Sequence, residues 1–438
     1  MKALHCCRSA IALTFLGLLA GCAVGPDTRT PPAPEVARYT AVQLPAATAG
    51  SGEGSDRAQR YVDAAAVPPD WWKGLGSAEL DALVERALAR SPTIAAAEAA
   101  LRAAQELSAA QRGALLPSVD ASYSGTRART PAAMASPLSS GASVYTLHTA
   151  QLSVGYVVDA FGGTRRAIEA QDAQTDTLAW QLRAAQLTLA ANVAGAALQA
   201  ASLREQLVAT ERLAAIAEKQ WQLLGTQRRL GAAPGAAVLA QEALWRQAQA
   251  TAATLRKQLA QQHDLLALLV GSTPAELPAL ELQLAALQLP DVPVSLPGAL
   301  LAQRPDVRAA EAQLRAANAQ VGVAAANMLP QITLGAGIGS SAQTLSGLFG
   351  AGGTLWSLAA GVSQPLFQGG ALLHRKRAAE AQLDQAVAQY QGTVLVAFQN
   401  VADALEAVRH DADVQVAAQA QAQAAAAALR IAQRQVEL

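Results

Sequence analysis

Apolar residues along this chain repeat with two different periods, and the two are kept apart. Between residues 164 and 229 there is no proline, and apolar positions recur at helical steps: Leu178, Leu182, Leu189, Val193, Leu203 and Leu207. That spacing predicts an α-helix. At ~1.5 Å per residue, roughly 65 residues make a rod of about 100 Å, which suits a coiled coil or a tunnel wall better than a globular core. Residues 92–115 and 236–270 predict two shorter helices of roughly 60 residues together, enough to match the long rod if stacked end to end.

Elsewhere the period is two, which predicts strands at about residues 118–126, 147–158, 331–339 and 355–366. In the first, Val119, Ala121 and Tyr123 oppose Ser118, Asp120, Ser122 and Ser124. In the others Leu152, Val154 and Tyr156, then Ile332 and Leu334, then Trp356, Leu358 and Val362 fall on one face, with polar residues or glycine on the other. Strands of roughly nine or ten residues with an apolar outer face fit a membrane β-barrel, so these eight residues are the predicted lipid-facing set. A small soluble sheet is the alternative, weakened by the glycines at inward positions. Four strands leave two bare edges, whose backbone groups find no partner in lipid. The smallest membrane barrels have about eight strands, so copies of the chain must share one. Two copies give eight strands and three give twelve, and an open lumen continuing a helical tunnel favours twelve.

The chain also repeats itself. Residues 92–125 and 305–338 match at one offset, pairing Glu98 with Glu311, Leu101 with Leu314, Arg102 with Arg315, and Leu116-Pro117 with Leu329-Pro330. Each copy is a helix, a Leu-Pro stop and then alternation. Downstream, Phe161-Gly162-Gly163 and Phe367-Gln368-Gly369-Gly370 both open long helical stretches, within which Asn192-Val193-Ala194 recurs as Asn400-Val401-Ala402. Two internal repeats follow, residues 70–290 and 291–438.

Composition sharpens this picture. Apolar residues make up 52% of the 438 but aromatics only 4%, because alanine and leucine dominate, as in long, closely packed helices. A formal net charge of zero gives no pointer to nucleic acid. All three cysteines (Cys6, Cys7 and Cys22) lie near the start, which excludes a disulfide framework or a cysteine metal site in the body. Lys2 and Arg8 precede an apolar run over residues 10–20, too short to span a membrane and laid out like a secretory signal. It ends in Leu19-Ala20-Gly21-Cys22, which resembles a bacterial lipobox. That resemblance implies a signal peptide over residues 1–21 and palmitate-type acylation of Cys22; Ala23 in place of an aspartate favours the outer membrane. An ordinary signal peptide is the alternative. Residues 22–69, rich in Pro, Ala, Gly, Ser and Thr, read as an extended, poorly packed leader.

Several segments are similar to the NodT-type branch of the TolC-like outer-membrane factor family. They are Cys22-Ala23-Val24-Gly25-Pro26-Asp27, then Trp71-Trp72-Lys73 with Leu75, Leu80, Leu83 and Ala87-Leu88, then Gln303-Arg304-Pro305-Asp306-Val307-Arg308-Ala309-Ala310-Glu311, and Pro365-Leu366-Phe367 closing the last strand. The resemblance implies a mixed α/β membrane protein: a long helical coiled-coil barrel, with four transmembrane strands per subunit closing a twelve-stranded barrel as a homotrimer. It implies passive conduction through the outer membrane, with a periplasmic adaptor (membrane fusion) protein and an inner-membrane RND-type pump as partners and no cofactor. In that family the turn between the long helix and its return meets the adaptor. Here the turn is predicted at about residues 229–239, with Arg228, Arg229, Leu230, Gly231, Pro234 and Gly235 as its candidates. The second half lacks a matching tip and return helix. Residues 428–438 align loosely with Arg212 to Leu223, so the chain is expected to be incomplete at its C-terminus.

Enzyme motifs are missing. His5, His148, His263, His374 and His410 are scattered, none has HExxH spacing, and neither a GxSxG elbow nor a phosphate loop occurs. His148 and His374 are expected near an extracellular loop and a helix start. No catalytic, cofactor or metal residue is therefore assigned. The rivals to an efflux duct are a type I secretion duct and a non-conducting, lipid-anchored coiled-coil scaffold.

Overall fold

A computed structural model of the protein describes residues 24–27, 30–32, 36, 38–50, 52, 57–63, 67–129, 144–294, 297–350 and 352–437. The signal segment and Cys22 lie outside these residues, as does most of the loop expected between the first two strands. In chain order the elements are β1 (Tyr61–Asp63), α1 (Ala78–Arg90), α2 (Pro92–Gly113), β2 (Ser118–Arg129), β3 (Val144–Val158), α3 (Gly163–Arg229), α4 (Gly235–Leu269), β4 (Val292–Val294), α5 (Pro297–Gln303), α6 (Pro305–Ala326), β5 (Gln331–Ala342), β6 (Thr354–Ser363) and α7 (Ala371–Glu437). The described residues fall into two compact units, one drawn from Met1–Pro32, Leu101–Leu178 and Ala309–Gly392, the other from Ala33–Ala100, Ala179–Arg308 and Thr393–Leu438.

The first unit holds a four-stranded antiparallel sheet in the order β2-β3-β5-β6. The Leu-Pro stops work as expected. Ala114, Leu115 and Leu116 close tight turns on α2, and Asn327, Met328 and Leu329 do so on α6, before proline turns the chain into β2 and β5. At the far end of β3 the Asp159 carboxylate accepts from the Thr164 and Arg165 amides (2.9 and 3.1 Å) and caps α3. Polar pairs on the flanking helices bind them to each other: Ser108 and Arg112 both reach Asp172, and Arg315 meets Asp176 at 3.0 Å.

In the second unit Leu80, Val84 and Ala87 of α1 and Trp72 pack with Leu266 and Ala267 of α4 and with Val270 at its C-cap. The partner surface from α3 is almost all alanine: Ala190, Ala194, Ala196, Ala197, Ala200 and Ala201 around Val193. Small side chains let helix backbones approach closely, so the low aromatic content is a packing solution. Among the α1 residues, Ser77 caps the helix and Ser91-Pro92 breaks it from α2.

Two expectations need correction. At its described residues the leader is largely exposed, yet tied down at several points. The Val24 amide donates to the Phe161 carbonyl, Asn318 donates to the Pro26 carbonyl at 2.9 Å, and β1 pairs in parallel with β4. Arg57 and Arg60 both meet Asp291, and that contact holds the Asp291 carboxyl below its ordinary range. Leader residue Gly25, at φ 119°, crosses Gly322 of α6 so closely that a Cβ on it would lie 2.6 Å from the Gly322 Cα. The second correction concerns Pro365-Leu366-Phe367. β6 ends at Ser363, so these residues follow the strand instead of closing it. Proline has no amide to give to a ladder, and Gln364 instead donates to the Met328 carbonyl at 3.1 Å.

The Arg-Pro-Asp segment has a structural explanation. Asp306 sits in the first turn of α6 and accepts from Arg304 at 2.7 and 3.1 Å and from the Val307 amide at 2.9 Å, while Arg304 also reaches the Ala397 carbonyl of α7. Burial pushes the Asp306 carboxyl up, but the guanidinium and amide bonds outweigh it and hold it below its ordinary 3.8. Its stabilisation is therefore complete above 3.8 and is lost as pH falls through the lower folded value. Acid unfolding followed by circular dichroism should decline less steeply below that pH in Asp306→Asn, which starts less stable. Gly322→Ala would bring a Cβ to 2.9 Å from the Val24 carbonyl oxygen. It is expected to cost about 1–3 kcal/mol of stability and to expose the leader to limited proteolysis.

Candidate functional site

The pairing registers resolve which residues share a face of the sheet. Val119, Val154, Ala336 and Leu358 form one cross-strand row, and Ala121, Leu152, Ile338 and Trp356 form the next. Tyr156, Leu334 and Ala360 align, as do Val158, Ile332 and Val362. All eight residues assigned from the alternation (Leu152, Val154, Tyr156, Ile332, Leu334, Trp356, Leu358 and Val362) thus lie on a single apolar face. In one chain that face is open: Trp356, Leu358 and Val362 are 77%, 80% and 72% exposed. An apolar patch of this continuity has to be covered by something non-aqueous.

The opposite face carries Ser118, Asp120 and Ser122 on β2, Gln151 and Ser153 on β3, Thr333, Gly335, Gly337 and Gly339 on β5, and Ser357 and Gly361 on β6. Here Gly337 gives way to the Gln151 amide, which a Cβ would meet at 2.7 Å. Three strands run longer than their alternation predicted, 12 residues for β2 and β5 and 15 for β3, because pairing continues through Arg127–Arg129, Val144–Thr146 and Ser340–Ala342, where the apolar phase of the strand centres is lost. Among the described residues, the outer edges of β2 and β6 have no strand beside them.

In the second unit α3 and α4 form an antiparallel hairpin. Its turn is shorter than predicted: only residues 230–234 lie outside the helices, and 235–239 already belong to α4. Gly231 at φ 80° ends α3. Its amide returns to the Arg228 carbonyl at 3.0 Å, and the Ala232 amide to the Gln227 carbonyl at 2.8 Å, a Schellman closure. Pro234 caps α4, and the Arg228 guanidinium packs over Gly235, 3.4 Å from where a Cβ would be. Arg229 bonds Thr226 at 3.1 Å, and Leu230 projects outward, 79% exposed. So Arg228 and Arg229 fold back along the helix end, while Leu230 forms the apex.

Sequence reasoning missed what holds the hairpin shut. Trp221 and Trp245 stack with ring centres 5.0 Å apart, Arg246 covers Trp245 at 4.0 Å, Gln241 spans to Ala217 and Gln220, and Arg256 pairs with Glu211 at 2.7 Å. The available signal was two tryptophans equidistant from Ala233 in a chain with 6 of them.

The histidines do not converge. His148 lies on β3, His263 bonds the Leu277 carbonyl, His374 stands in the first turn of α7, and His410 sits among Glu406 and Asp413. Among the described residues no group of His, Cys, Asp and Glu could hold a metal ion, and no helix is long and apolar enough to cross a membrane.

A family model described as outer membrane efflux protein matches residues 83–272 and 296–438. The chain belongs to that family. It is 33% identical over 409 residues to the outer membrane protein OprJ of Pseudomonas aeruginosa, spanning 91% of this chain and 79% of that protein. With the Pseudomonas putida pyoverdine export outer membrane protein OpmQ it shares 30% over 408 residues, 92% of this chain and 82% of that one. A crystal structure of a membrane protein from Pseudomonas aeruginosa superposes with a TM-score of 0.81 at 30% identity, covering 95% of this chain and 90% of the other. The outer-membrane channel OprN gives 0.80 at 27%, covering 93% and 88%. In this outer membrane efflux protein the Gly231 turn should be conformationally demanding. Gly231→Ala is expected to cost about 1–2 kcal/mol. Gly225→Ala, in open space within α3, is expected to gain up to about 1 kcal/mol. Thermal unfolding of the two variants side by side tests the pair.

Proposed function

We propose that this chain is the exit duct of a tripartite efflux system, conducting small molecules passively across the outer membrane. The observation that carries the reading is the sheet itself, apolar on one face, polar and glycine-lined on the other, with two open edges. In hydrocarbon such a sheet must close on copies of itself. A homotrimer closes twelve strands, with the eight apolar residues named above toward lipid. The relatives OpmQ and OprJ are outer membrane proteins, and another from Pseudomonas putida, 32% identical, is named a toluene efflux pump outer membrane protein; these names favour small solutes over secreted proteins.

Equal element lengths support the two internal repeats: α2 and α6 have 22 residues each, and β2 and β5 have 12. Asn192 and Asn400 hold the same place counted from the starts of α3 and α7. This register sets Glu437 against Arg229, further along than the loose alignment with Arg212 to Leu223. Acylation of Cys22 after removal of residues 1–21 anchors the duct, in the manner of the NodT-type branch. Leu230, with Gly231 and Pro234 shaping it and Arg228, Arg229 and Gly235 behind it, forms the apex offered to a periplasmic adaptor, and the inner-membrane pump supplies solute and energy.

Conductance across planar bilayers by purified, heat-modifiable trimers is the expected result. Trimers that never conduct would favour the coiled-coil scaffold. Leu358→Arg places a charge in the lipid-facing row and is expected to cost about 2–4 kcal/mol per subunit on insertion. The measurement is the fraction folded into vesicles. Ser357→Arg, one residue along on the other face, should insert normally and alter conductance instead.

A further inference from the structure

Beyond the apolar rows, the same face of the sheet changes character. Tyr123, Ala150, Ser340 and Thr354 form the next row, followed by Gly125, His148 and Ala342, then Arg127 beside Thr146, and finally Arg129 beside Val144. Both arginines are exposed and stand two residues apart, so their side chains emerge on one side, about 7 Å from each other. They lie at the loop end of β2, opposite the end that joins α2.

Among the described residues no ion pair includes either of them. Between Asp120 and Asp159, and again between Glu311 and Glu380, the sequence has no aspartate or glutamate. Asp120 itself belongs to the opposite face. Between them the two hairpins therefore offer lone positive charge at one end of an apolar surface. Beneath the arginines the Tyr123 hydroxyl and His148 Nδ1 share a hydrogen bond of 2.9 Å, their rings nearly parallel at 11°. Gly125 lies beside this stack, and a Cβ there would be in ordinary contact with it, 3.4 Å from His148 Nδ1. The result is a graded surface of hydrocarbon-like rows, then a fixed aromatic shelf, then two guanidiniums.

From this we propose that Arg127 and Arg129, over the Tyr123–His148 shelf, bind the phosphorylated headgroup of an outer-leaflet lipid whose acyl chains lie along the apolar rows. The inference rests on the reading of the sheet as membrane-spanning, which puts the loop end at the outer surface. Arginine forks suit phosphate oxygens, and long side chains reach back toward the interface. The occupant is a lipid and not a free anion because the basic residues stand on the same face as the apolar rows, with two rows between.

The test uses the full chain reconstituted into phosphatidylethanolamine vesicles doped with either bis-phosphorylated lipid A or the same lipid without phosphates. A polarity-sensitive dye on Leu358→Cys reports insertion, and native mass spectrometry after gentle solubilisation counts retained lipid. The wild-type chain is expected to retain the phosphorylated lipid roughly tenfold over the phosphate-free one. The R127Q/R129Q chain should lose that preference while the dye still reports hydrocarbon, and R127K/R129K should keep part of it. Equal retention of the two lipids, or a preference that survives in R127Q/R129Q, overturns the headgroup site and leaves the duct untouched. Complete displacement by inorganic phosphate overturns it in favour of a plain anion site. A dye that reports water at position 358 overturns both readings at once.

Discussion

The backbone hydrogen bond at a sheet edge is the constraint on which this architecture turns. Each interior strand of the sheet satisfies its amides and carbonyls on both sides, but β2 and β6 have an outer side that a single chain leaves bare. Water could satisfy those groups, yet the face beside them is built from Trp356, Leu358 and Val362 and is unsuited to water. Lipid suits the face and cannot satisfy the edges. Closure with further copies, as in the duct proposed above, resolves the conflict. In the proposed duct, assembly and membrane insertion are therefore one requirement seen from two directions.

The helical part solves a different problem with different chemistry. Long helices bear a modest apolar stripe, and here much of that stripe is alanine. The contact among α1, α3 and α4 draws its depth from a few larger groups, such as Trp72, Leu80 and Leu266, set into a flat alanine surface. Polar clasps then fix register where alanine cannot, as with Asp172 between Ser108 and Arg112, or Gln241 across the hairpin. The Trp221–Trp245 stack does the same near the turn.

How far the sequence could be read depended on periodicity. The 3.6-residue repeat located α3 almost to the residue, and the two-residue repeat put all eight chosen side chains on one face. The loop ends of β2, β3 and β5 were underestimated because stretches such as Arg127-Ala128-Arg129 and Ser340-Ser341-Ala342 break the alternation that marked the strand centres. The leader was misjudged for a related reason. Its three-residue pairing with β4 and its glycine crossing at Gly322 are long-range contacts that leave no local pattern. The Arg304–Asp306 bracket was visible only as a motif, and its role emerged from the carbonyl of Ala397, far along the chain.

One feature of the sheet bears on selectivity. Along β5 the polar side presents Gly335, Gly337 and Gly339, whose missing side chains let the Gln151 amide from β3 lie across the strand. In the bore of the proposed duct, a passing solute would meet small amides and hydroxyls on this strip, with Asp120 as a charged side chain of the same face. A wall of this kind, in the proposed duct, would hold a solute by little more than single hydrogen bonds, so that a molecule would leave it as readily as it entered.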